Sequence, residues 1–411
     1  MRIDFSDIAK FLFFILLLFS AQVFSPNFTT DADLTAQLLA GGIIRDGSAN
    51  ILARYLVILI AIFSSYIFFI RQRQSYQYLI KEAAPLLLLT SFLLLSCLWA
   101  SNEIASIVKL SKHILLFISI VFFARTLANC DIEKILFKVS LIVLSVAIVS
   151  LFFDFSWSGL GFKSIHGHKN SAGMIYAVLL IYALCMCKKS TLLKYVPIAL
   201  AFTVLIILSK SKTSLALVLY IFMLTRVFRD KISPVTLAIM VTFPFFIMFI
   251  ITLIFSDFFI YHGYDFTGRV MIWDFVILVT EKHLFTGYGF ASFWNMGEEG
   301  VNYLQGGSYY EFIRNINQAH NSYLDIYVFS GLIGILIFLI YLVSFFKKLS
   351  RLDITGGRLD YFYLVLFCFS VTHSLMESTL FRGSNLIWVL FLFIYFTLIF
   401  RKKNEKSTTS S

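Results

Sequence analysis

The sequence predicts an all-α polytopic membrane protein of about twelve transmembrane helices, and three observations carry that prediction. The 411 residues are 59% hydrophobic and 14% charged, a composition that excludes a soluble globular core. Phe is abundant, with 47 residues, and Pro scarce, with 5, which suits long and mostly unbroken helices. The basic residues, which leave a formal net charge of +11, fall largely at the ends of apolar runs. Such punctuation orients membrane helices; it does not build a nucleic-acid surface.

A crossing needs roughly 20 apolar residues to cover about 30 Å of hydrocarbon. The first run, 8–25, lacks a small-residue cleavage site and reads as a retained helix rather than a signal peptide. Further runs follow at 51–70, 84–100, 107–124, 136–155 and 171–187. Two short ones, 194–209 and 213–226, are joined by the polar bend Lys210–Thr213. The last four are 234–257, 321–346, 361–378 and 385–400.

Alternate connections are basic. They carry Arg71, Arg73 and Lys81; Arg125 and Lys134; Lys188, Lys189 and Lys194; Arg226, Arg229 and Lys231; and Lys347, Lys348, Arg351 and Arg358. After the last run come Arg401, Lys402, Lys403 and Lys406. The positive-inside rule places these in the cytoplasm together with both termini. The expected organisation is one transmembrane domain, residues 1–400, that includes a long periplasmic loop at 257–320, followed by a disordered cytoplasmic tail at 401–411.

The first outer loop, about Ser25 to Asn50, is polar with room for a short interfacial helix. In the long loop, Val270–Trp273 and Phe290–Trp294 are aromatic stretches expected on the headgroup layer. Gly287-Tyr288-Gly289 and Gly306-Gly307 supply turns between them. The cysteines, Cys97, Cys130, Cys185, Cys187 and Cys368, are placed neither for an extracytoplasmic disulfide nor for a metal.

Four polar clusters stand on the outer side, where few cations are expected. His166-Gly167-His168-Lys169-Asn170 precedes the sixth run, and a phosphate or sugar contact from His168, Lys169 and Asn170 fits it better than a metal site; a helix cap at Asn170 or Ser171 is the structural alternative. Lys210 and Lys212 flank Ser211, an arrangement that is expensive at membrane depth without an anion; snorkelling to the headgroups is the structural alternative. Arg269 follows Thr267-Gly268 at the membrane surface, where its guanidinium suits bidentate phosphate binding or nonspecific lipid contact. His320 is a candidate base for activating a hydroxyl, and Asn321 beside it a helix cap. Glu377 and Arg382 bracket the last outer turn, with His373 one helical turn before Glu377; function and a structural ion pair explain them equally. Their common ligand is read as the diphosphate of a lipid-linked sugar. No Asp-x-Asp pair occurs in the outer loops, so a metal-independent reaction without a cofactor is expected.

In order, the strings GHKNSAG (Gly167–Gly173), LSKSKTSLA (Leu208–Ala216), TGRVMIW (Thr267–Trp273), FTGYGFASFW (Phe285–Trp294) and HNSYLDIYVFSGLIG (His320–Gly334) resemble the O-antigen ligase and Wzy-type polymerase superfamily, most nearly its ExoQ-like exopolysaccharide polymerases. The resemblance implies an inverting, metal-independent transferase of the membrane-embedded GT-C type in the bacterial inner membrane, with its active site facing the periplasm. Its donor would be a glycan on undecaprenyl diphosphate, with Arg269 on the diphosphate and His320 as base or acceptor-positioning residue. Lys212 stands where many ligases carry Arg, which keeps the charge and loses the bidentate fork.

Three functions are therefore set against one another. A polymerase transfers the glycan to another lipid-linked repeat, and a ligase transfers it to the lipid A core. A lipid-linked oligosaccharide flippase is the rival from another class, but it should carry cations through the midplane, whereas these gather on one face. Membrane lipids are the other expected partners. A chain-length regulator is left open, with no motif of its own.

Overall fold

The computed structural model describes residues 5–28, 51–71, 76–264, 266, 268–294, 316–383 and 385–408. In chain order the helices are α1 (Phe5–Ser20), α2 (Ile51–Arg71), α3 (Tyr76–Ser96), α4 (Glu103–Thr126), α5 (Asn129–Ser150), α6 (Lys169–Met186) and α7 (Leu192–Leu208). They continue with α8 (Lys212–Phe228), α9 (Pro234–Ile254), α10 (Ser256–Tyr261), α11 (Arg269–Thr280), α12 (Ser322–Lys348), α13 (Arg358–His373) and α14 (Leu386–Thr408). Before α6, strands β1 (Trp157–Ser158) and β2 (Gly161–Phe162) pair antiparallel, Trp157 opposite Phe162.

Every apolar run read from the sequence overlaps a helix. Among the described residues, six helical stretches are long and apolar enough to cross a membrane: Gln77–Trp99, Glu103–Thr126, Lys169–Met186, Lys189–Leu208, Pro234–Ile254 and Ser322–Arg351. Several of the other predicted crossings are short or charged. Helices α1, α8 and α13 have 16, 17 and 16 residues, and α5 carries Asp131, Glu133, Lys134 and Lys138. Helix α14 runs on to Thr408, into the stretch read as a disordered tail. Residues 29–50 of the first outer loop, and Gly306 and Gly307, lie outside the described residues.

At the centre of the bundle, α6, α13 and the apolar part of α14 bury nearly every side chain. Helices apolar on all sides belong inside. The basic residues collect at one set of helix ends, where Lys348 and Arg351 pair with Glu82, and Arg401 with Asp360.

Two pieces of the long loop turn inward rather than toward the headgroups. Val270, Ile272 and Trp273 on α11 are buried, and the Trp273 ring meets Phe249 of α9 edge-on at 5.3 Å. Phe290, Phe293 and Trp294 are buried as well. These aromatic stretches are core because the membrane-facing helices leave them a space to fill.

Helix α12 is broken at Gly331, whose φ of 62° and ψ of −162° are open to Gly alone. The break interrupts the bonds that Leu332 and Ile333 would make to Val328 and Phe329. Loop residues 284–289 take up all four groups. Tyr288 N donates to Val328 O at 2.9 Å and Gly289 N to Phe329 O at 2.9 Å, while Leu332 N reaches Leu284 O at 2.8 Å and Ile333 N reaches Phe285 O at 3.2 Å. Satisfying every backbone group is the condition for irregular chain inside a membrane bundle.

Candidate functional site

Opposite the basic ends, the N-termini of α6, α8, α11 and α12 come together around the turn that follows α13. Each N-terminus leaves unpaired N–H groups and about half a positive charge. The focus is Glu377, whose side chain is 12% exposed. Its Oε1 accepts from Arg269 Nη2 at 2.5 Å and from Asn170 Nδ2 at 2.7 Å. Its Oε2 lies 3.0 Å from His320 Nδ1. A carboxylate only accepts, so Nδ1 carries the proton in that contact and Nε2 keeps a lone pair.

The chain fixes each partner locally. Arg269 is the first residue of α11. Trp273, one turn on, anchors that helix by donating Nε1–H to Ala319 O at 3.1 Å. His320 sits in the left-handed region at φ 49°, a conformation that costs about 1–3 kcal/mol for a non-Gly residue and recurs at functional sites. It is held there from both sides. Asp325 Oδ1 accepts from Ala319 N at 3.0 Å. Asn321 caps α12 by accepting from Tyr323 N and Leu324 N, and donates to Leu375 O at 2.9 Å.

Burial alone would raise the Glu377 carboxyl; the hydrogen bond with His320 and the charge on Arg269 outweigh it and hold the group down at about 2. Its folded value lies below the ordinary 4.5. The stabilisation is therefore complete above that value and is lost as pH falls toward 2. Thermal unfolding in detergent should drop on going from about pH 5 to about pH 3, and Glu377→Gln should flatten that dependence. An equal acid response in both proteins would assign it elsewhere.

The other sequence candidates divide. Asn170 reaches Glu377, whereas His168 caps α6 by accepting from Asn170 N at 3.2 Å and Lys169 donates to Leu160 O at 3.3 Å. His166 is buried, bonded to Gln22, and pushed down to about 4 by that burial. At the start of α8 the serines face in and the lysines out. Ser211 and Ser214 are 5% and 1% exposed, whereas Lys210 and Lys212 are exposed. The serines link to the site through Ser214 Oγ, 3.3 Å from His373 Nε2. Gly173 makes this possible, since a Cβ there would meet Ser211 Cβ at 2.3 Å. Asn321 is fully buried, its side chain taken up by the cap and by the Leu375 carbonyl.

Glu377 and Arg382 do not pair. Arg382 instead donates to Asp325 Oδ2 at 3.3 Å and to Asn317 O at 3.1 Å. Asp325 was missed in the sequence, although an acid inside an apolar helix is the signal that marks it. Among the described residues no group of three or more His, Cys, Asp or Glu side chains is arranged to hold a metal ion.

The site thus offers an anion-attracting field, one guanidinium and one imidazole aligned by a shared carboxylate. No curated protein matches the chain. Residues 196–339, which run from α7 into the second half of α12 and include Arg269 and His320, match the family model Wzy_C, described as O-antigen ligase. Over that stretch, about a third of its length, the chain is similar to the O-antigen ligase family.

Proposed function

We propose that this protein is an inverting glycosyltransferase on the periplasmic face of the inner membrane, and that it joins a glycan carried on undecaprenyl diphosphate to a second lipid-linked repeat. The single observation that carries the reading is the Glu377 carboxylate shared between Arg269 and His320. Arg269 gives Glu377 one of its five N–H donors, and the guanidinium fork suits the departing diphosphate. Four helix N-termini add to the field that stabilises charge growing on that leaving group. His320 Nε2 takes the proton of the attacking hydroxyl while Glu377 holds Nδ1–H and steadies the imidazolium that forms. A base acting opposite the leaving group gives inversion at the anomeric carbon. Lys210 and Lys212, exposed at the same rim, draw the diphosphate in from the headgroup layer.

A ligase reading has its own support in the description of the matched family. The two separate in proteoliposomes given labelled lipid-linked repeats. A ladder of polymer supports the polymerase; product formed only after lipid A core is added supports the ligase. Label crossing the bilayer with no new glycosidic bond would assign transport and end both readings. Transfer should persist in EDTA, and a loss restored by magnesium would refute the metal-independent reaction.

A further inference from the structure

Beside Asn317, three residues before His320, lies a cavity of about 380 Å³. Lys109 and Lys112 of α4 and Arg382 supply three cations to its lining, and Phe290, Trp294 and Asn317 line it too. Arg382 is partly balanced by Asp325. Lys109 Nζ donates to a carbonyl, Ala291 O, at 2.8 Å. Among the described residues no carboxylate forms an ion pair with Lys109 or Lys112. An excess of positive charge beside aromatic walls suits a ring with an apolar face and an anionic substituent.

The cavity and the Glu377 cluster share two chain segments. Asn317 opens on the cavity and His320 faces Glu377, and three residues of chain span at most about 10 Å. Arg382 and Glu377 stand on the second segment, five positions apart. His320 therefore stands close to both the place assigned to the donor diphosphate and this cavity. We infer that the cavity is the acceptor subsite and that it binds an acidic sugar of the acceptor glycan, one bearing a carboxylate or a phosphate. The inference rests on the transferase reading above and adds the chemical class of the acceptor to it.

Lys109 and Lys112 are exposed, so Lys109→Ala/Lys112→Ala leaves the core untouched. The full chain in detergent is titrated with glucuronate, glucose 1-phosphate and glucose by calorimetry, and separately with geranyl diphosphate as a donor probe. The expected result is at least one acidic sugar binding about tenfold or more tighter than glucose. The double variant should lose that margin and keep its affinity for geranyl diphosphate. The stronger of glucuronate and glucose 1-phosphate identifies the anion as carboxylate or phosphate. No margin over glucose, or a margin the double variant keeps, overturns the acceptor subsite. The donor reading is judged apart from this, since geranyl diphosphate binding should be lost in Arg269→Ala.

Discussion

Arg269→Ala is expected to lower the rate of glycan transfer about 10²–10³-fold, and Arg269→Lys should recover little of it. Lysine restores the charge but not the planar fork that grips two phosphate oxygens. It also changes the contact with Glu377, which Arg269 now makes through Nη2. His320→Ala should reduce kcat about 10²–10⁴-fold while leaving the KM for the donor near its wild-type value, because a base acts on the hydroxyl and not on donor binding. Steady-state kinetics with separately varied donor and acceptor measure all three. Wild-type turnover in either alanine variant, at normal membrane levels, would remove that residue from the reaction.

Gly331→Ala is expected to be severely destabilising. A Cβ there would lie 2.4 Å from Phe285 C and 2.5 Å from Thr286 N. Both are backbone atoms, pinned by the four hydrogen bonds across the break, so neither can retreat. The φ of 62° adds strain of its own. Together these should remove about 3 kcal/mol or more, enough to deplete folded protein from membranes. Gly263→Ala is the matched control, since its φ is 73° but nothing lies within 4 Å of the added carbon. It should cost only about 1 kcal/mol. A similar melting loss in both variants would show that conformational strain, and not the clasp around the break, decides the outcome.

Much of the helical framework was legible in the chain, because long apolar runs bounded by charges have few ways to fold. Arg269 and His320 were legible as well, since cations between apolar runs need a reason to be there. Their convergence on Glu377 was not. The carboxylate lies 108 residues from Arg269 and 57 from His320, and no local pattern encodes which partner a distant acid selects. Local spacing misled in two places. It put Arg382 with Glu377, when the buried Asp325 held the stronger claim through its bonds to Trp294 and Ala319. It drew attention to the lysines of the 210–212 bend at membrane depth, although the buried groups there are Ser211 and Ser214, whose hydroxyls cost less to bury than ammonium ions. The aromatic segments of the long loop read as interfacial because periodicity reports only that a face is apolar, and not whether lipid or protein covers it.

The interrupted α12 bears on how the chemistry keeps its dimensions. The half-helix that follows His320 and its neighbour Asn321, the cap, ends at Gly331, and the loop clasped there continues from the helix that Arg269 begins. Arg269 and His320 therefore ride on one welded frame, like the two jaws of a calliper locked at a set opening. In the proposed polymerisation, the gauge between those jaws would stay constant from one cycle to the next, and only the untethered sugars beyond it would need to find new room.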